Sequence, residues 1–91
     1  MKPIGDSKNE ELFKVYPNPA STYIIIEFSS KLTKSNTMIQ LIDARGQLLE
    51  TTYSNARPYI ALEVENLPNG IYFIKLYSNN LQDVEKITIN R

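Results

Sequence analysis

The chain has 91 residues, ten basic and ten acidic side chains that cancel to a formal net charge of zero, and neither cysteine nor histidine. Such a length makes one small domain that buries about two-thirds of its unfolded surface, with an expected stability of roughly 5–13 kcal/mol. The neutral balance, without a basic cluster, excludes an electrostatic footprint for nucleic acid or an anionic membrane; the missing residues exclude disulfides, thiol chemistry and the commonest general base and metal ligand.

Residues 1–12 read as a polar, flexible leader or linker carrying Pro3, Gly5 and Asp6, and the folded domain is expected over 13–91. The leader lacks the apolar core of a signal peptide, and no apolar run approaches the ~20 residues of a membrane-spanning helix. A first short strand runs to Tyr16 and stops at Pro17 and Pro19, which cannot donate to a sheet ladder. Thr22–Ser29 is the strongest strand, with Ile24, Ile26 and Phe28 on one face and Tyr23, Ile25 and Glu27 on the other. Thr37–Asp43 and Gln47–Tyr53 flank Asp43-Ala44-Arg45-Gly46, a hairpin turn in which Gly46 takes positive φ.

Tyr59–Glu65 alternates cleanly, with Ile60, Leu62 and Val64 inward. Asn66–Gly70 turns the chain, and Leu67 plugs the end of the core. Gly70–Tyr77 follows with Tyr72, Ile74 and Leu76 on one face, then a turn over Ser78–Gln82, then a last strand, Val84–Asn90, with Ile87 and Ile89 inward. Seven short strands and no helical period point to an all-β fold, a seven-stranded antiparallel immunoglobulin-like sandwich, with a small barrel as the competing architecture.

Reaction chemistry finds little support in these residues. The serines sit in turns without a histidine to activate them. Glu63 and Glu65 share one solvent face, a solubilising pair rather than a glycosidase dyad. Asn79, Asn80 and Asp83 fall short of a calcium loop, and three isolated glycines cradle no phosphate. No cofactor is expected and no catalytic or metal-binding residue is assigned. Tyr23, Tyr53, Tyr59 and Tyr77 are the candidates for exposed aromatics, so a carbohydrate-binding or adhesion module stays open as a second reading.

Four segments in order resemble the C-terminal sorting domain of the type IX (Por) secretion system of Bacteroidota. They are Tyr16-Pro17-Asn18-Pro19 leading into Ile24–Phe28, Leu41-Ile42-Asp43-Ala44-Arg45-Gly46-Gln47, Leu67-Pro68-Asn69-Gly70-Ile71-Tyr72, and Lys86-Ile87-Thr88-Ile89-Asn90-Arg91. The resemblance implies a signal rather than an enzyme. The upstream cargo passes through the periplasm, the type IX translocon recognises the domain and carries it across the outer membrane, and a sortase-like cysteine protease commonly removes it. The cargo is then released or attached at the cell surface. Cleavage is expected in the leader before Phe13.

Each motif also has an architectural reading. Pro17 and Pro19 break a strand, Gly46 and Gly70 serve turns, and Tyr72 buries its ring with its hydroxyl bonded locally, as a sandwich corner tyrosine does. Tyr16, Pro17, Asn18, Pro19, Asp43, Gly46 and Leu67 are therefore assigned to structure. Lys86, Ile87, Ile89 and Arg91, with Gly70 and Tyr72, are the candidates for recognition. Lys86 is out of phase with Ile87 and Ile89 and points its charge to solvent, and a last strand at a sheet edge is open to pairing with a receptor strand. Monomer or weak dimer is left open by Ile25 and Ile42 on the outer faces.

Overall fold

The computed structural model describes residues 11–91, so the expected leader lies outside the described residues apart from Glu11 and Leu12. Leu12 packs against the core, and its carbonyl accepts the Ser29 amide at 2.9 Å. Seven strands follow: β1 (Phe13–Tyr16), β2 (Tyr23–Phe28), β3 (Met38–Asp43), β4 (Leu48–Tyr53), β5 (Tyr59–Glu63), β6 (Gly70–Ser78) and β7 (Leu81–Ile89). They build two antiparallel sheets, ordered β1-β2-β5 and β4-β3-β6-β7. The expected immunoglobulin-like sandwich is what forms. Because β4 pairs with β3, the division is three plus four, unlike the four plus three of a constant-type immunoglobulin domain.

The period-two pattern decides which face each strand buries. Ile24, Ile26 and Phe28 of β2 meet Leu62 and Val64, while Ile39 and Leu41 of β3, Tyr72, Ile74 and Leu76 of β6, and Ile87 and Ile89 of β7 supply the other wall. An isoleucine buried this fully contributes about 1.5–3 kcal/mol over leaving it in water. At one end of the core the lining turns polar. Thr37, Ser54 and Ser78 are buried there; the Ser54 hydroxyl accepts the Thr37 amide at 2.9 Å and donates to the Ser35 carbonyl. The Thr37 and Ser78 hydroxyls have no hydrogen-bond partner among the described residues.

Most strand ends shift from the sequence expectation, usually by one residue, and three of the changes have an evident physical cause. β5 ends at Glu63 because the chain turns after Val64, whose carbonyl accepts the Leu67 amide at 3.0 Å. β7 begins at Leu81 rather than Val84, because the turn shrinks to Asn79-Asn80 with Asn79 at φ 55°, a conformation asparagine tolerates. The β6–β7 ladder thus runs unbroken from Gly70↔Ile89 to Ser78↔Leu81. β4 begins at Leu48 and buries neither face; a bulge at Leu49 shifts its register, so that Leu41 faces Glu50 and Ile42 faces Leu48.

Candidate functional site

The two prolines of Tyr16-Pro17-Asn18-Pro19 leave this segment unable to extend a ladder, and both are preceded by cis peptide bonds. A side chain takes over where the backbone cannot pair. The Asn18 amide lies against the outer edge of β7, where its Nδ2 donates to the Lys86 carbonyl at 3.3 Å and its Oδ1 accepts the Thr88 amide at 3.0 Å. Two residues on, backbone pairing resumes: Ala20 donates to the Thr88 carbonyl at 2.8 Å and accepts the Asn90 amide at 2.9 Å, in a parallel bridge to Ile89. The C-terminal half of this edge is therefore closed, which removes it as a site for strand addition in the folded domain.

Arg91 continues the same seam. Its amide donates to Asn69 Oδ1 at 3.1 Å, and its guanidinium donates to the carbonyls of Ser21, Val64 and Leu67. Arginine suits this position because its fixed fork of five N–H donors reaches several acceptors at once. Ile87 and Ile89 are buried in the core, so in the folded state they hold β7 down rather than present it. Of the terminal recognition candidates, Lys86 alone projects a side chain from the exposed surface without the folded-back contacts of Arg91; it stands opposite Phe73 of β6.

The other motif residues gather at one end of the sandwich. Asp43 Oδ1 accepts the amides of Arg45 and Gln47, each at 2.9 Å, and Oδ2 meets the Arg45 guanidinium at 3.3 Å. These bonds to the ionised carboxylate, the Gln47 amide foremost, hold the Asp43 carboxyl below its ordinary value of 3.8. Gly46 closes the turn at φ +90° with its amide on the Asp43 carbonyl, as expected of a hairpin whose last loop residue is left-handed. Gly70 opens β6 at φ +154°. Tyr72 buries its ring and donates its hydroxyl to the Pro68 carbonyl at 2.6 Å, the geometry of a sandwich corner tyrosine. Asp43, Leu67, Gly70 and Tyr72 line one open groove of about 440 Å³ between this turn and the β5–β6 loop.

Tyr16 is exposed at 45% and donates to Glu27 Oε1 at 3.2 Å; partial desolvation, then that carboxylate, raises its phenol above the ordinary value of 10.0. Burial, then the charges of Glu11 and Asp83, raises the Glu85 carboxyl. The four motif segments thus form one connected body. Asn18 ties the first to the last, Asn69 ties the third to the last, and the groove joins the second to the third. Sequence reasoning missed Asn18 as a contact residue. The signal was present: a side chain with both donor and acceptor, between two residues that cannot donate, is suited to imitate a strand.

Geometry and contacts together define an immunoglobulin-like β-sandwich domain with a latched last strand. The chain belongs to the secretion system C-terminal sorting domain family, which it matches over residues 14–90. That family supplies a C-terminal sorting signal for type IX secretion, which implies an upstream cargo and the secretion machinery. No curated protein matches the chain. Among solved structures it is similar to a DUF3244 family protein with an immunoglobulin-like β-sandwich fold from Bacteroides vulgatus, at 14% identity and TM-score 0.70 over 87% of this chain and 85% of that one. It is also similar to the BSP domain of a biofilm associated protein, at 20% identity and TM-score 0.65 over 85% of this chain and 14% of that one. CopC from Methylosinus trichosporium shares 13% identity at TM-score 0.53 over 86% of this chain and 93% of that one. At these identities the likeness concerns the fold alone.

Proposed function

We propose that the domain is a non-catalytic address. It directs an upstream cargo from the periplasm across the outer membrane to the surface or the medium, and the type IX translocon reads it through the last strand and the surfaces latched to it. A sortase-like cysteine protease then cuts in the leader ahead of Phe13, releasing the cargo or leaving it attached to the surface. The observation that carries this reading is the double hydrogen bond of Asn18 to β7, which makes the first and last motifs one structural unit. The perturbed groups also fit a structural role: Asp43 and Tyr16 are engaged in local hydrogen bonds.

The test fuses residues 1–91 to a periplasmic reporter in a type IX-competent host. Export of the fusion, lost on deletion of residues 86–91, supports the reading; a folded fusion that stays periplasmic overturns it. A second reading, an accessory adhesion or carbohydrate-binding module, is favoured by one observation. Tyr16, Tyr23 and Tyr59, at 45%, 49% and 58% exposure, share the outer face of the three-stranded sheet. Glycan-array binding that Tyr23→Ala and Tyr59→Ala remove would establish it.

A further inference from the structure

The register of the four-stranded sheet sets Leu48, Ile42, Phe73 and Lys86 side by side in one transverse row, one residue from each strand. Strands ~4.8 Å apart make this row about 14 Å long. It lies on the outer face, because Ile39, Leu41, Tyr72, Ile74 and Ile87 take the opposite phase and fill the core. Ile71 flanks the row on one side, Lys75 and Val84 on the other; Leu48, Ile71 and Val84 are exposed at 49%, 44% and 51%. Half-buried Ile42 and Phe73 lie between them. A strip this apolar on the solvent side of a sheet is unusual, because one face of an antiparallel sheet is normally polar.

The charges on this sheet are segregated by phase. Its four strand carboxylates, Asp43, Glu50, Asp83 and Glu85, face Tyr72, Leu41, Leu76 and Ile74, so all follow the inward phase. Its two lysines, Lys75 and Lys86, both follow the outward phase, beside the apolar strip. Among the described strand residues of this sheet, those in the outward phase therefore carry cations and no carboxylate, although the chain as a whole is neutral. Asp83 borders the face at its β7 edge, where its carboxylate is engaged by the Val84 amide at 2.8 Å. A surface of this kind selects its complement: burying the strip brings both ammonium groups to the contact, where an opposing carboxylate is favoured and an opposing cation is rejected.

We infer that this outer face is a docking surface for a protein that presents an apolar ridge bracketed by carboxylates, with Lys75 and Lys86 setting its register. The inference rests on the sorting reading and gives it a surface: the recogniser reads Lys86 together with Phe73 and Ile42, on the side of β7 away from the core, and need not unlatch the strand.

The experiment uses the full-length reporter fusion. Lys75→Glu with Lys86→Glu is expected to lower export about tenfold or more, since reversing charges at a contact turns attraction into repulsion. Lys34→Glu with Arg57→Glu makes the same change in net charge in exposed loops and is expected to leave export unchanged. Circular dichroism and thermal melts establish that both variants fold. A photo-crosslinking residue at Ile71 then captures what docks. A crosslinked peptide from another protein, rich in Asp or Glu beside apolar residues, supports the inference. A crosslink to a second copy of this domain, to lipid or to glycan overturns it, as does unchanged export of the Lys75→Glu, Lys86→Glu variant. If the unsubstituted fusion is not exported, the sorting reading fails, and the crosslink still decides the surface.

Discussion

Asn18→Ala tests the latch between the first and last motifs. The substitution removes the 3.3 Å bond to the Lys86 carbonyl and the 3.0 Å bond from the Thr88 amide, and leaves the Ala20 pairing to β7 in place. A typical hydrogen bond contributes a net ~0.5–1.5 kcal/mol, and the freed groups at this exposed edge gain water, so the loss is about 1–2 kcal/mol. For a domain of this size that lowers Tm by about 5–15 °C. Urea unfolding followed by circular dichroism gives the stability. Amide hydrogen exchange gives the location, since protection should fall at Thr88 while persisting at Asn90. Asn18→Asp separates hydrogen bonding from packing. Its carboxylate still accepts from Thr88 but opposes the Lys86 carbonyl, so the defect should shrink as the pH falls below about 3.9 and the carboxyl becomes a donor. A stability within ~0.3 kcal/mol of the parent, with Thr88 still protected, would refute the latch; the expected loss rests on the same hydrogen-bond magnitudes.

Further outcomes follow from single sites. Tyr72→Phe removes the hydroxyl bond to Pro68 and should cost about 1–1.5 kcal/mol in urea unfolding, with export reduced only in proportion to the fraction unfolded. Ala56 sits at φ 59° beside Asn55 at φ 55° in the turn closed by Ser54 and Arg57, so Ala56→Gly should raise stability by about 0.5–1 kcal/mol; a lower melting temperature would contradict the strain. Thr37→Val replaces a buried hydroxyl that has no partner among the described residues and should stabilise by about 1 kcal/mol, read as a higher urea midpoint. The Asp43 carboxyl is lowered in the folded state, so its contribution is complete above its ordinary value of 3.8 and is lost as pH falls below that, through the folded-state value. Asp43→Asn should flatten the acid limb of a stability–pH curve, and an unchanged limb would assign it to other carboxylates.

The fold was legible because its core strands alternate strictly. Ile24, Ile26 and Phe28, and Tyr72, Ile74 and Leu76, each put one face into the core, and periodicity reports that directly. The start of β7 was not legible, because Leu81, Gln82 and Asp83 carry weak strand signals and are held by the ladder to Ser78, Tyr77 and Leu76. The site was legible only as segments. Tyr72 and the Asp43–Gly46 turn act locally, within four residues, so composition and spacing expose them. Asn18 acts across 68 and 70 residues of chain and Arg91 across 22 to 70, through contacts that no local pattern encodes. Arg91 shows the cost of reading charge alone: its guanidinium turns inward to carbonyls rather than outward to a receptor.

The parallel bridge between Ala20 and Ile89 has a mechanical consequence. Parallel neighbours are drawn in opposite directions when one is pulled from its N-terminal side and the other from its C-terminal side. Tension that reaches this seam past β1 from the N-terminal side and along β7 from the C-terminal side therefore loads the Asn18 and Ala20 bonds together, in shear, and does not peel them one at a time. Resistance to such a force is set by the rate at which the whole seam ruptures. The seam is thus fastened along the line of any pull applied to the two ends of the chain.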